Sequence, residues 1–306
     1  MGAATVLSLR GVRGMFYRRL EERTQASWVN RLASMFRSDQ PAEKYPWLGH
    51  SPSMRPWVGE RMTTELPGYE IDVVNEKFEN GLQFSDRELR QDKTGQVRAR
   101  INELAEKAAI LPQQLVTSLI TQNAIGYDKK PMFANDHVIG ESGTIDNLLG
   151  FNADDPADPT AAEMQKAILS SVQQMMGFTD DTGEPMNDMA TGFDIMVPVH
   201  FYQATIAALR DEFTAAAVSN TLRSAMGAGL GITMHQNARL KANEFYTFRT
   251  DGSLKPFIWQ EELMEIQTLG KDSDFYVTND AHFFGTKREC AAAVGRFEFA
   301  CKTVLT

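Results

Sequence analysis

The 306-residue sequence is poor in cysteine and contains no long hydrophobic run. Its two cysteines, Cys290 and Cys301, are too few for a disulfide framework, and no secretory signal is visible. No apolar stretch approaches the roughly 18 residues that a membrane-spanning helix needs. These absences predict a soluble, intracellular, globular protein whose fold does not depend on disulfides.

Positive charge is also in short supply. Lys and Arg number 31 against 40 Asp and Glu, which gives a net charge of -9. A protein that binds nucleic acid over its whole surface needs an excess of positive charge there, so the sequence disfavours that class of protein. Hydrophobic residues (42%) and charged residues (23%) are present in ordinary globular proportions, which excludes wholesale disorder. The length suits two domains or one elaborate domain.

Motifs for catalysis and cofactor binding are missing as well. The run GAGLG at 227–231 lacks the preceding strand and the third-glycine spacing of a dinucleotide-binding loop. The run GESG at 140–143 is followed by Thr144, where a nucleophile elbow needs glycine. The five histidines are dispersed, without the spacing of a metal site. We therefore expect no catalytic residues, no cofactor and no metal, which favours a structural protein over an enzyme.

The first segment, Met1 to Arg37, is locally basic, with seven arginines against two glutamates. Its apolar residues fall at loosely helical spacing. Such a stretch is compatible with a helix packed on its own domain, a membrane-surface helix, a targeting peptide or an arm that docks on a partner.

A proline- and tryptophan-rich segment follows at 44–60, and its three prolines exclude a regular helix. Residues 59–90 then alternate in short strand-like runs, with a turn signal at Leu66-Pro67-Gly68. Two strands that fold back there predict a projecting hairpin. Because a lone hairpin is barely stable in water, we expect it to lie against another surface.

The remaining pattern predicts helices and strands in alternation. A long helix is expected over 94–122, kinked or split at Pro112, and a second helix begins at the capping box Thr160-x-x-Glu163. The spacing then predicts a strand at 193–198, a helix at 200–213 and strands at 232–240, 245–250 and 256–261, with Asp251-Gly252 as the turn between the last two. Strand-like pieces end the chain at 275–277, 283–284 and 297–299, and no internal repeat is visible.

Five motifs resemble, in the same order, those of the major head subunit of Mu-like tailed bacteriophages. They are YPWLGHSPSMRPWVGER (45–61), NEKFENGLQFSDREL (75–89), GYDKKPMFANDH (126–137), FDIMVPVHF (193–201) and RTDGSLKPFIWQEE (249–262). The resemblance covers the chain from about residue 20 to its end. Residues 288–299 depart from the family's glycine-and-aromatic ending.

The resemblance implies an α+β fold, the Hong Kong 97-type capsid fold of tailed phages. Its parts would be an N-terminal arm (1–50), an extended hairpin loop (51–92), a peripheral domain with a long spine helix (93–139), an axial domain (140–270) and a return to the peripheral domain (271–306). The order of elements derived above from periodicity and turn signals agrees with that arrangement.

The function implied is that of a major capsid protein that self-assembles through hexamers and pentamers into an icosahedral head around double-stranded DNA. Its partners would be other copies of itself, scaffold, portal, and decoration or protease proteins, with DNA enclosed without sequence-specific binding and no membrane involved. It would reside in the virion capsid and assemble in the bacterial cytoplasm. An encapsulin-like cargo shell and an intracellular α/β enzyme are the alternatives.

Charged and aromatic residues near the N-terminus are the candidates for contacts between subunits. The tryptophans of the 44–60 segment need a surface to pack against, which a neighbouring subunit could supply. The nearby charged residues would fix the register of that contact. The arginines of the basic arm would face acidic surfaces of adjacent subunits or of a scaffold. The candidates are Arg18, Arg19, Arg23, Trp47, Arg55, Trp57, Glu60, Arg61, Glu65 and Lys77.

Overall fold

This computed structural model describes residues 9–48, 68–90, 95–213 and 219–306. They form two β-sheets, a two-stranded ribbon and helices packed on the sheets. The helices are α1 (Leu9–Gln25), α2 (Val29–Leu32), α3 (Asp86–Arg90), α4 (Gln96–Gln122), α5 (Ala161–Met176), α6 (Tyr202–Arg210), α7 (Thr221–Gly227) and α8 (Asp274–Asn279), with 3₁₀ turns at Val199–Phe201 and Phe297–Phe299. The strands are β1 (Ala33–Arg37), β2 (Ala42–Leu48), β3 (Gly68–Val74), β4 (Glu76–Ser85), β5 (Leu148–Phe151), β6 (Gly192–Val197), β7 (Gly231–Gln236), β8 (Glu244–Arg249), β9 (Phe257–Leu269), β10 (Ala281–Val294) and β11 (Ala300–Leu305).

The first sheet has four strands in the order β1-β9-β10-β4 and is covered by α1 and α4. Strand β1 runs parallel to β9, and the other neighbours are antiparallel. The apolar stripe of α4 faces this sheet, so that Ile101 and Leu104 are buried together with Val12 and Phe16 of α1 and Phe284 of β10. Burial of this stripe, rather than helix propensity alone, stabilises α4.

The second sheet has five strands in the order β5-β11-β8-β6-β7. Helices α5, α6 and α7 pack together, and buried Met164 and Ile168 of α5 share a core with Val197 of β6 and Phe245 of β8. Helix α5 begins at the predicted capping box, in which Thr160 and Glu163 each accept from the other's backbone amide. The predicted strand near 193–198 is confirmed as β6.

The chain passes between the two sheets along 250–256, so the hairpin predicted around Asp251-Gly252 is wrong. Strand β8, which precedes this turn, lies in the five-stranded sheet, and β9, which follows it, lies in the four-stranded sheet. Each strand finds a long antiparallel partner elsewhere, because β8 pairs with β11 and β9 with β10. In the expected domain ranges, 140–270 therefore includes a strand of the first sheet, and 271–306 includes a strand of the second. The boundaries themselves stay a prediction.

Helix α4 runs without interruption through Pro112, where the sequence predicted a kink or a split. A proline inside a helix leaves the carbonyl four residues earlier without its usual donor. Here that carbonyl belongs to Ala108, and the guanidinium of Arg288 on β10 donates to it at 2.8 Å. A tertiary hydrogen bond thus replaces the missing helical one, which explains the correction.

Three short pieces also differ from their predictions. Residues 275–277 lie in helix α8, because the Ser273 side chain accepts from the Tyr276 amide and caps a helix there. Residues 297–299 form a 3₁₀ turn between β10 and β11. The ribbon pairs β2 with β3, from Ala42 opposite Val74 to Leu48 opposite Gly68. The predicted turn at Leu66-Pro67-Gly68 lies largely outside the described residues, and β4 pairs with β10 in the first sheet.

Helices α4 and α5 end in the same tight turn, although the sequence shows no repeat. Isolated bridges join Ile125 to Pro131 and Thr179 to Pro185, at positions 54 residues apart. The amide of Gly126 donates to the Lys130 carbonyl at 2.7 Å, and the equivalent Asp180 amide donates to Glu184 at 2.8 Å. Both turns contain a left-handed residue, Lys129 in the first and Gly183 in the second. The repeat is thus one of backbone geometry.

We predict that Arg288 is needed because of Pro112. Arg288→Met leaves the Ala108 carbonyl buried without its donor, which should lower the free energy of unfolding by about 2 kcal/mol. In the background of Pro112→Ala, the new backbone amide can donate to Ala108, so the same Arg288 substitution should cost about 1 kcal/mol less. Urea denaturation of the four variants measures this coupling.

The other contacts of Arg288, to Glu261 and Trp259, are lost in both backgrounds and therefore cancel in this cycle. Equal costs of Arg288→Met with proline and with alanine at position 112 would show that the arginine does not replace the helical hydrogen bond.

Candidate assembly surfaces

The ribbon formed by β2 and β3 carries charged residues on its exposed side. The Lys44 Nζ lies 3.4 Å from a Glu70 carboxylate oxygen and 3.6 Å from one of Asp72, across the two strands. Both carboxylates, Asp72 above all, raise the pKa of Lys44. Exposed ion pairs of this kind contribute little stability, so they favour pairing register rather than hold the ribbon in place.

Most of the predicted contact residues of this region lie outside the described residues. These are Arg55, Trp57, Glu60, Arg61 and Glu65, all within 49–67. Trp47 belongs to β2, where its backbone pairs with Tyr69. A contact between subunits through these six residues stays a prediction.

Two of the three predicted arginines of the basic arm meet a partner in their own chain. Arg19 Nε donates to a Glu106 carboxylate oxygen on α4 at 2.9 Å, and Arg23 Nη2 donates to the same oxygen at 3.0 Å. The two guanidinium groups, Arg19 first, lower the pKa of Glu106. Arg18 lies on the exposed face of α1. The structure therefore separates Arg18, which faces outward, from Arg19 and Arg23, which help to dock α1 on α4.

Lys77, the remaining predicted residue, stands on β4 at the edge of the first sheet. Its side chain is 74% exposed, and its Nζ lies 3.8 Å from a carboxylate oxygen of Glu289 on β10. The position leaves most of the lysine side chain accessible to a neighbouring molecule. Its role in a contact stays a prediction.

An ionic cluster around a buried aspartate joins the N-terminal segment to the second sheet, and no sequence motif indicated it. Asp194 on β6 is fully buried, and Arg31 on α2 donates to both of its carboxylate oxygens, at 2.7 and 2.6 Å. His235 Nε2 on β7 lies 2.7 Å from the same carboxylate. Burial alone would raise the pKa of Asp194, but the hydrogen bonds from His235 and Arg31 outweigh it and lower the pKa. The three residues are far apart in sequence and match no motif.

Two other histidines also meet an aspartate in the folded chain. His137 Nδ1 lies 2.5 Å from Asp128, and His282 Nε2 lies 3.3 Å from Asp86. Both histidines are buried; His282 and Asp86 are 196 residues apart in the sequence, whereas His137 and Asp128 are 9 residues apart. We interpret them as cross-links within the fold.

Cys290 and Cys301 are both buried, and burial raises the pKa of each thiol to about 12. The thiolate is the reactive form of cysteine, so neither side chain is primed for nucleophilic chemistry. Among the described residues, no cluster of three or more histidine, cysteine, aspartate or glutamate side chains is arranged to bind a metal ion. Within the same residues, no helix has both the length and the apolar character to cross a membrane.

Comparison with known proteins confirms the resemblance drawn from the five motifs. Residues 8–159 match the sequence model of the family described as Mu-like prophage major head subunit gpT. The chain is 27% identical over 140 residues to the Mu-like prophage FluMu major head subunit of Haemophilus influenzae, an alignment that covers 44% of this chain and 46% of that protein. It is 25% identical over 115 residues to the major capsid protein of Escherichia phage Mu, covering 37% and 38% of the two chains. The chain thus matches less than half the length of these relatives.

The fold extends the likeness over the whole chain. A subunit of the procapsid of bacteriophage JBD30 superposes with a TM-score of 0.55 and 17% sequence identity, covering 99% of this chain and 76% of that chain. At this identity the likeness concerns the fold alone. It confirms the predicted α+β fold of the Hong Kong 97 type.

We predict that Asp194→Asn weakens the fold near neutral pH and removes an acid transition. The carboxylate of Asp194 has a lowered pKa, so the stability it provides is present above about 3.9, the value in the unfolded chain, and is lost as the pH falls through the folded value. Asparagine keeps the size but not the charge. We expect a loss of about 2 kcal/mol at pH 7 that shrinks below pH 4.

Thermal unfolding of the wild type and of Asp194→Asn between pH 3 and 7 measures this difference. Asp251→Asn is the matched control, because that carboxylate also has a lowered pKa but lies nearer the surface, beside Arg249. A constant difference between wild type and Asp194→Asn at all these pH values would contradict the assignment.

Proposed function

We propose that this chain, which over residues 8–159 belongs to the Mu-like prophage major head subunit family, is the subunit that builds the protein shell of a phage head. The family match carries this proposal. The family and both relatives are head or capsid proteins rather than enzymes. The capsid fold over the rest of the chain supports it.

The principal partner in this proposal is another copy of the same chain. A shell subunit needs obligate interfaces, which typically bury about 2,000 Å² or more. Some exposed apolar side chains are suited to a share of that area: Met35 and Phe36 on β1, an edge strand of the first sheet, and Val74 at the end of ribbon strand β3. The ribbon of β2 and β3 is a second candidate for contact with a neighbouring subunit, because it has little core of its own. We propose that copies assemble as hexamers and pentamers into an icosahedral shell.

Scaffold and portal proteins, and decoration or protease proteins, are further partners in the proposal. They follow from the head-subunit role and not from any single surface of the chain. The shell would be the location of the protein in the virion, with assembly in the bacterial cytoplasm.

The charge distribution supports enclosure of DNA without tight binding. Residues 140–256 contain fifteen Asp and Glu against seven Lys and Arg. A surface of that sign repels phosphates, and DNA that must enter a shell slides more easily past walls that do not hold it. An encapsulin-like cargo shell shares the fold, and the family match favours the phage head over that alternative.

The first test of the proposal is the native mass of the purified protein. Multi-angle light scattering, with negative-stain images of the same fraction, should show closed shells or rings of five or six subunits. Oligomers of at least five subunits, up to closed shells of megadalton mass, are expected because obligate interfaces leave little free monomer. A stable monomer or dimer that no scaffold or crowding agent converts into particles would overturn the proposal.

We further predict that Arg18 acts between subunits. Arg18→Ala should slow shell assembly and weaken its salt dependence, because an exposed charge at the rim of an interface acts mainly on the association rate. It should leave the thermal stability of the subunit unchanged, since the side chain is exposed on α1. Light scattering followed over time at two salt concentrations measures the assembly rate.

The matched control is Arg19→Ala with Arg23→Ala. These two arginines contact Glu106 within the chain, so we expect a small loss of subunit stability in the control. Assembly of Arg18→Ala at the wild-type rate would assign the arm's basic character to docking on α4 alone.

A further inference from the structure

The ribbon leaves the body of the subunit next to a buried side-chain amide. Gln260 lies on β9 of the first sheet and is fully buried. Its Oε1 accepts a hydrogen bond from the Tyr45 hydroxyl of β2 at 2.7 Å. Its Nε2 donates to the Val73 carbonyl of β3 at 3.3 Å and to Asn75 Oδ1 at 2.8 Å. One amide therefore contacts both strands of the ribbon and the residue that follows them.

Asn75 extends the same network to the residues that precede the ribbon, at the same base. Its Nδ2 donates to the Gln40 carbonyl at 3.0 Å and to a Glu262 carboxylate oxygen of β9 at 3.0 Å. Its backbone amide donates to the Pro41 carbonyl at 2.8 Å. Residues 40 and 41 lie in the turn that leads into β2, so Asn75 ties the entrance of the ribbon to its exit.

Every hydrogen of the Gln260 amide group is used in this network. An amide has two donor hydrogens, and here one is directed to Val73 and the other to Asn75. Its oxygen meets a donor that stays protonated, because burial, assisted by the charge of Glu43, raises the pKa of Tyr45 to about 12. A buried amide with all its groups paired has one orientation that satisfies them, so its partners are held in one arrangement.

The ribbon is also attached near its base, where Val73 is buried, the Phe36 ring lies 4.8 Å from that of Tyr45 and the Ser38 hydroxyl donates to Glu43 at 2.9 Å. Tyr45 and Ile71 pack against the main core, whereas Lys44, Pro46, Glu70 and Asp72 are exposed. A two-stranded ribbon is marginal by itself, so its direction depends on how its base is held. Three side chains, Tyr45, Asn75 and Gln260, make the hydrogen bonds that join the ribbon to β9, and we name them the ribbon anchor.

We infer that the ribbon anchor sets the direction in which the ribbon leaves the subunit, and that Gln260 is the positioning residue on which it depends. The consequence for assembly rests on the proposed function. A ribbon held within a narrow range of directions meets its neighbours in hexamers and pentamers at closely similar angles, and such control of the angle is what a closed shell of one size needs. A ribbon on a loosened base samples several directions, and the shells formed should vary in size or stay open.

The test uses purified full-length subunits with Gln260→Met, which keeps the length and volume of the side chain but removes the amide. Hydrogen exchange of the peptides that contain 42–48 and 68–74 should become about tenfold faster, the change expected from loss of one or two hydrogen bonds. The peptides of β10 should exchange as in the wild type, because backbone pairing in the sheet is unaffected. Tyr45→Phe, which removes one hydroxyl, is a milder second variant if Gln260→Met folds poorly.

Lys44→Met is the matched control. It removes the ion pairs to Glu70 and Asp72 on the ribbon surface but leaves the ribbon anchor intact. We expect its ribbon exchange and its particle diameters to equal those of the wild type. Shells of Gln260→Met, imaged by electron microscopy, should show several diameters or open forms.

Two results would overturn the inference. One is ribbon exchange at the wild-type rate in both Gln260→Met and Tyr45→Phe, which would show that the base is held by packing alone. The other is faster exchange together with shells of one wild-type diameter, which would show that the neighbour and not the anchor sets the direction. Failure of the wild type to form particles contradicts the proposed function instead, and ribbon exchange still decides whether the anchor holds the ribbon.

Discussion

The guanidinium of Arg288 is the interaction on which the first sheet and its long helix depend. It is nearly buried on β10, donates to the Ala108 carbonyl of α4 and to Glu261 of β9, and lies 5.0 Å over the ring of Trp259. A buried charge is stable only where its hydrogens are paired, and these contacts satisfy that condition. Because the Ala108 carbonyl has this donor, α4 contains Pro112 without being interrupted. Sheet and helix are therefore fixed to one another by a charged side chain as well as by apolar packing.

A second buried group fixes the two sheets to each other. The 3₁₀ turn Phe297–Phe299 joins the last strand of the first sheet to β11 of the second, and the carboxylate of Glu298 within it is fully buried. Tyr127 donates to that carboxylate at 2.6 Å, and the ring of Phe297 stacks with both Tyr127 and His137. Tyr127 belongs to the tight turn after α4. The equivalent turn after α5 brings Asn187, whose amide donates to the Glu298 carbonyl at 3.3 Å. The two equivalent turns thus place the C-terminal ends of α4 and α5 next to the junction between the sheets.

The sequence predicted those parts of the fold that local pattern decides. The apolar period of 94–122 and the capping box at Thr160 are properties of neighbouring residues, and α4 and α5 follow them. The sheet assignment of β8 and β9 is not local, because each strand pairs with strands that are distant in the chain, both earlier and later. For the same reason Asp251-Gly252 has the composition of a hairpin turn and connects two sheets instead.

The candidate contact residues show the same division. The basic character of α1 was visible in composition, but composition does not distinguish Arg18, which is exposed, from Arg19, which meets Glu106 on α4. Gln260 gave no signal, since a glutamine in a strand is ordinary until its neighbours are known. Its importance comes from burial beside Tyr45 and Asn75, which lie some two hundred residues earlier in the chain. Polar residues that act by position are found from the structure, whereas those that act by their chemistry often form a motif.

Together these contacts divide the molecule into a body and one attached element. Arg288, Glu298 and Asp194 are buried charges, and each connects separate elements of the body through hydrogen bonds. Apolar packing is tolerant of small shifts, whereas a buried ion pair is not, because a displaced partner leaves a charge without compensation. The body is therefore stiff at its joints. The ribbon is held at its base by side-chain amides, one of which donates to the Glu262 carboxylate. In the proposed shell, a subunit has to repeat one shape while its contacts adapt to rings of different size, and these joints keep the body stiff and restrict the ribbon to the small adjustment that its hydrogen-bonded base allows.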